Sequence, residues 1–135
     1  NTIDLTASAV DCSAGDIIQA LTIPGDSVIL WAGFQVVESA TMNTGSNATA
    51  VLGTAVDPNE YVTAFDIDGA ADLAYAPTVA AAGVVVNASA DTMDLTFAGD
   101  GATFTAGKLR VFCMLMDVSE VGEHTAQTVD RDTLA

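Results

Sequence analysis

Asp16-Ile17-Ile18-Gln19-Ala20-Leu21-Thr22-Ile23-Pro24-Gly25-Asp26-Ser27-Val28-Ile29-Leu30-Trp31-Ala32-Gly33-Phe34-Gln35-Val36-Val37-Glu38 reads as strand, turn, strand. β-Branched and aromatic residues dominate both flanks and suit a pleated backbone. Between them Pro24 presets φ and Gly25 accepts a positive φ, the chemistry of a type II turn. The second flank, Ser27–Glu38, is apolar on both faces, with Trp31 and Phe34 on opposite sides of the pleat. Such a strand is central in its sheet, or one of its faces meets another subunit.

The same pattern extends both ways along the chain. Thr2–Val10 alternates, with Ile3, Leu5, Ala7 and Ala9 on one face, and Asp11–Asp16 reads as a turn. Ser39–Asn47 is rich in Thr, Asn, Ser and Gly and reads as a loop. Ala48–Thr54, Tyr61–Ile67, Gly83–Asn87 and Thr92–Phe97 read as strands, with turns at Asp57–Glu60 and Asp68-Gly69. Ala70–Ala82 is ambiguous, and Pro77 argues against one continuous helix there. Gly99-Asp100-Gly101 opens a loop that closes at Gly107. Lys108–Val118 is the last strand, placing Leu109, Val111, Cys113 and Leu115 on one face and Phe112, Met114 and Met116 on the other. About eight short strands with turn signals between them predict an all-β fold, an antiparallel β-sandwich of jelly-roll-like form. Residues 1–118 make that domain, and 119–135 form a polar C-terminal tail, either frayed or an arm that orders on a neighbour.

Composition sets the surroundings this fold can tolerate. The 135 residues hold 18 acids against 3 Lys and Arg, for a net charge of −15, yet half of them are hydrophobic. A chain with so much apolar content folds rather than staying disordered. Its acids then coat a small apolar body, repelling nucleic acid and anionic membranes. A high-salt or marine medium, or a basic partner surface, suits such a coat. Charged residues are only 16% of the chain, against about 25% in ordinary domains. Surplus apolar surface on a small domain predicts a homo-oligomer. The longest apolar stretch, Val28–Val37, contains Gln35 and is too short to span a bilayer. The sequence opens at Asn1, for which an omitted initiator or a disordered start is expected over a cleaved signal peptide or a processed leader. Cys12 and Cys113 are expected as free thiols, in keeping with a reducing cytoplasm.

Chemistry-bearing patterns are sparse, and neither catalytic nor cofactor-binding residues are assigned. His124 is the only His and lies in the polar tail, where a Ser/His/Asp arrangement has no rigid support. A zinc site is unsupported by one His and two distant Cys. Gly99-Asp100-Gly101 lacks the third Gly, the helix and the Lys of a phosphate cradle. A calcium candidate remains in Asp66, Asp68 and Asp72, hard oxygens around the Gly69 turn, with Asp57, Asn59 and Glu60 as further donors. The EF-hand pattern is incomplete, so an acidic turn at a strand end is the expected reading and no metal is assigned.

Three segments in order carry a family resemblance. Ser13-Ala14-Gly15-Asp16-Ile17-Ile18-Gln19-Ala20-Leu21 leads through Ile23-Pro24-Gly25 into Val28–Val37. Ala50-Val51-Leu52-Gly53-Thr54 is followed by Asp57-Pro58-Asn59-Glu60-Tyr61-Val62. Asp91-Thr92-Met93-Asp94-Leu95-Thr96-Phe97 precedes Thr105-Ala106-Gly107-Lys108-Leu109-Arg110-Val111. The series resembles the decoration, or cement, proteins on the capsids of tailed bacteriophages, especially marine and cyanobacterial phages. That resemblance implies a protein without enzymatic activity or cofactor, assembled in the host cytoplasm and placed on the outer surface of the virion. Its implied partners are the major capsid protein and itself, a trimer being favoured, with neither nucleic acid nor membrane. Trp31, Phe34, Phe112 and Met114 are the apolar candidates for a subunit interface, each with core packing as its alternative, and the termini are natural capsid-facing arms. The competing class is a secreted carbohydrate-binding or adhesive β-sandwich module, which an exposed Trp31 would favour; aromatics are only 6% of the chain.

Overall fold

Alternating apolar residues gain most when two sheets share them, and this chain builds two. The computed structural model describes residues 1–8, 10–69 and 86–119. In order along the chain the strands are β1 (Thr2–Asp4), β2 (Ile17–Ile23), β3 (Ser27–Met42), β4 (Ala48–Gly53), β5 (Val62–Asp66), the two-residue β6 (Val86–Asn87), β7 (Asp91–Gly99) and β8 (Phe104–Asp117). One sheet runs β1-β8-β3-β6 and the other β2-β7-β4-β5. Every pairing is antiparallel.

The pairings follow a simple rule. First meets last, β1 with β8; then β2 meets β7, β3 meets β6 and β4 meets β5. The chain is therefore one long antiparallel ribbon, doubled back at the β4–β5 turn and wound around a core. Contacts of β8 with β3 and of β7 with β4 sew adjacent turns of the ribbon together. That winding is the jelly roll, as the strand count and turn spacing predict.

Between the sheets, β3 contributes Ala32, Phe34 and Val36, β8 contributes Leu109 and Val111, β4 contributes Ala50 and Leu52, and β7 contributes Met93, Leu95 and Phe97. Phe34 meets Phe65 edge-on at 5.8 Å, and Phe97 meets Phe104 at 5.5 Å. Full burial of each large side chain contributes roughly 1.5–3 kcal/mol. Bulges adjust the strands around this core. Leu30 and Val37 are extra residues in β3, and Ala20 is extra in β2. Each bulge resets which face the following residues take.

The structure departs from the sequence reading at several points. The first strand stops at Asp4 rather than running to Val10. Asp4 Oδ1 accepts hydrogen bonds from Thr6 N at 3.0 Å and Thr6 Oγ1 at 2.9 Å, and Ala7 N donates to Asp4 O, so a turn replaces the strand. β3 continues through Met42, because Thr41 and Met42 pair with Ala106 and Phe104; the loop starts at Asn43. Gly107 lies inside β8 rather than closing a loop. Its φ is +136°, and a Cβ there would come 2.9 Å from Leu5 Cδ1 and 3.0 Å from Ala40 Cα, so only glycine fits. Residues 1–4 are also no projecting arm. Val111 N donates to Asn1 O at 2.8 Å, and Asn1 Nδ2 reaches Ala20 O of the other sheet at 3.1 Å. The expected Ala70–Ala82 segment, residues 83–85 of the Gly83–Asn87 strand, and the tail beyond Ser119 lie outside the described residues.

Candidate functional site

The outer face of the first sheet collects most of the residues singled out from sequence. Trp31 on β3 lies opposite Met114 on β8, and Gly33 lies opposite Phe112. Because Gly33 has no side chain, the Phe112 ring leans diagonally onto Trp31, with centroids 4.9 Å apart and planes 27° from parallel. Both rings are half-buried, whereas Met114 is 58% exposed. Leu30, displaced by its bulge, and Met116 widen the apolar area and are exposed as well. Phe34 does not belong here. It is fully buried between the sheets, so its place as an interface candidate is corrected to core.

Further along the same face the chemistry changes to charge. Lys108 Nζ sits 2.8 Å from Glu38 Oε2 and 3.5 Å from Asp4 Oδ2. Register explains the triplet: Glu38 and Asp4 both pair with Lys108, one from each neighbouring strand. Glu38 holds the Lys108 ammonium above its ordinary range, with Asp4 adding to it. The Thr6 hydrogen bonds, more than Lys108, hold Asp4 below the usual carboxylate range. Exposed charges such as these contribute little to stability. Arg110 pairs in register with Thr2 and Gln35, is exposed, and joins no ion pair among the described residues.

The calcium candidate is only partly assembled. Asp66 Oδ1 accepts from Asp68 N at 2.9 Å, and Asp68 Oδ2 accepts from Ala48 N at 3.1 Å. The hydrogen bond with Asp66, partial burial and repulsion from Asp66 together push the Asp68 carboxyl up. Asp68 and Ser39 line a cleft of about 280 Å³ with Thr41, Met42 and Ser46. Asp72 lies outside the described residues. Asp57, Asn59 and Glu60 sit at the other end of β5, in a turn that uses them internally, so the structure does not bring them to Asp66 and Asp68. Among the described residues, no three His, Cys, Asp or Glu side chains are placed to hold a metal ion.

Cys12 and Cys113 are both free thiols. Burial, reinforced by Asp16, pushes the Cys12 thiol up to about 11, and burial raises Cys113 as well. Neither is poised as a thiolate nucleophile. His124 lies outside the described residues.

Two features went unread in the sequence. Asp94 alternates with Met93 and Leu95, so it points away from the core, yet it is 5% exposed and its Oδ1 has no hydrogen-bond partner among the described residues. Val56, at the tip of the turn between β4 and β5, is 91% exposed. A lone Val beside Asp57-Pro58 was the available signal. No protein-family model, curated protein or solved structure matches this chain.

Proposed function

We propose that this chain is a non-enzymatic structural protein, a decoration or cement protein on the outer surface of a tailed-phage head, where it stabilises contacts between major capsid subunits. The observation that carries this reading is the outer face of the first sheet. On a chain of net charge −15, it gathers exposed Leu30, Met114 and Met116 around the Trp31–Phe112 stack, with Lys108 and Arg110 alongside. Exposed apolar side chains grouped on one face mark a contact surface rather than a solvated one. A jelly roll is compatible with the role, since capsid and lectin domains both use it; fold alone does not choose between them. Its partners are the major capsid protein and further copies of itself. Several weak seats per assembly make a strong attachment, because each later contact is intramolecular. The acidic remainder of the surface keeps the particle exterior soluble in salt-rich water and away from nucleic acid and anionic membranes.

Sugar binding fits the same face less well. A ring that stacks on a sugar needs an open face, and Trp31 is half-buried with Phe112 stacked on it. Immunogold electron microscopy of the source lysate, with antibody against the full chain, tests the choice. Regular label over phage heads is expected. Label on cell envelopes or free polysaccharide, with bare heads, overturns the capsid reading.

A further inference from the structure

Val56 is held out from the sandwich by a closed turn. Thr54 N donates to Asp57 O at 2.9 Å, Asp57 N to Thr54 Oγ1 at 3.3 Å and Glu60 N to Asp57 O at 3.2 Å. Glu60 Oε2 accepts from Thr54 Oγ1 at 3.4 Å. Gly53 lets the turn fold flat against β4, since a Cβ there would come 2.6 Å from Pro58 O. The result is a preorganised apolar knob beside an acid, Val56 followed by Asp57. A preorganised tip loses little freedom on docking.

The outer face of the first sheet offers the complement. It has exposed apolar side chains in Met114, Met116 and Leu30, and in Arg110 an exposed cation two residues from Phe112 on the same face. Lys108 is engaged by Glu38 and Asp4, which leaves Arg110 as the described cation available to an outside carboxylate. Apolar knob with acid meets apolar floor with cation.

We propose that the 54–60 turn of one copy seats on the outer face of the first sheet of the next copy, Val56 against the Met114 region and Asp57 toward Arg110. The two surfaces differ, so the contact is head-to-tail, and repetition closes a ring when the rotation allows. Both surfaces lie toward one pole of the sandwich, where β2 and β4 end and β3 begins, which favours closure about that pole. This inference rests on the assembly role proposed above and names the surfaces that serve it.

Sedimentation velocity on the full chain tests it, in about 0.5 M NaCl, where repulsion between acidic copies is screened. The expected species is an oligomer of two or more 13.7 kDa chains. Val56→Ser weakens association about tenfold or more. Arg110→Glu and Asp57→Arg each weaken it, and the two together restore it. Ile17→Ser is the control, because Ile17 is another exposed apolar residue beside an acid, Asp16; it leaves the oligomer unchanged. Circular dichroism confirms that each variant is folded. A monomer at every concentration, an oligomer indifferent to Val56 and Arg110, a failed charge swap, or loss of the oligomer with Ile17→Ser overturns the proposal. Labelled heads with a monomeric protein would remove this contact and keep the capsid reading; an oligomer with bare heads would do the reverse.

Discussion

Replacing Asp94 with Thr makes the protein more stable. The residue sits in β7 between Thr92 and Thr96 on the outward side of the strand, opposite Gln19 on β2 and Gly53 on β4. The turn that folds back over Gly53 stands beside it. Its side chain is 5% exposed, and Oδ1 has no hydrogen-bond partner among the described residues. A buried polar atom without a partner costs about 1–3 kcal/mol, and more when charged. Thr removes that charge and continues the run of β-branched neighbours, on a propensity scale that spans about 1 kcal/mol. The expected gain is about 2 kcal/mol, read from urea unfolding as a higher midpoint at unchanged slope. For a domain of this size that corresponds to a rise of about 6 °C in Tm. Asp94→Asn gains less, because a buried amide still needs partners and Asn is a poor strand former. Added salt leaves the gain in place, since desolvation is not screened as exposed charge pairs are. An unchanged or lowered midpoint for Asp94→Thr refutes the reasoning and shows that the carboxylate is satisfied in solution.

Other consequences can be checked alongside. Gly53→Ala forces its new methyl into Pro58 O and the 54–60 turn, for a loss of about 1–3 kcal/mol in the same urea assay; an unperturbed midpoint would show that the turn does not rest on β4. Phe34→Ala costs about 3–5 kcal/mol, whereas Met114→Ala leaves monomer stability within about 0.5 kcal/mol, which separates core from surface. Asp68 carries a folded pKa above the ordinary 3.8, so its contribution to stability is fully present below that value and is lost as pH rises through the folded pKa. Asp66→Asn keeps an acceptor for Asp68 N but removes the neighbouring charge. The Asp68 carboxyl should then titrate closer to 3.8 by carbon-detected NMR, and an unmoved titration would mean that Asp66 is not its perturber.

Alternation made the strands legible, because a period of two assigns faces without knowledge of partners. It placed Trp31 and Phe34 on opposite sides, and Leu109, Val111 and Cys113 on the inner side of β8. It failed where a local hydrogen bond beats the period. Ile3, Leu5 and Ala7 alternate correctly, but the Asp4 carboxylate captures Thr6 and turns the chain. Composition misled at Ser39–Met42, where polar neighbours disguise Ala40 and Met42, both buried: Met42 pairs with Phe104, some sixty residues away, and Ala40 N donates to Ile67 O. The surface site was half legible. Trp31, Phe112 and Met114 share a face because β3 and β8 align in register, whereas Phe34 could be sorted from them only by knowing which face is covered. Val56 and Asp94 carry no periodic signal. Val56 is exposed because a local turn folds back on Gly53, and Asp94 is buried because its strand pairs with Gly53 some forty residues away.

The first-meets-last pairing also dictates when this protein can exist at all during synthesis. β1 and β3 find their shared partner only in β8, so Val111 must leave the ribosome before Asn1 has a backbone partner. Emerging chain holds β1 and β3 without their shared ladder partner for most of translation. Non-local pairings of this kind close slowly. A strongly acidic nascent chain repels its neighbours on a polysome, which keeps those uncovered strands apart until the final segment arrives. A product ending before Phe104 lacks one of the two central strands of the first sheet and is left with unpaired edges, a substrate for aggregation or proteolysis rather than a smaller folded domain.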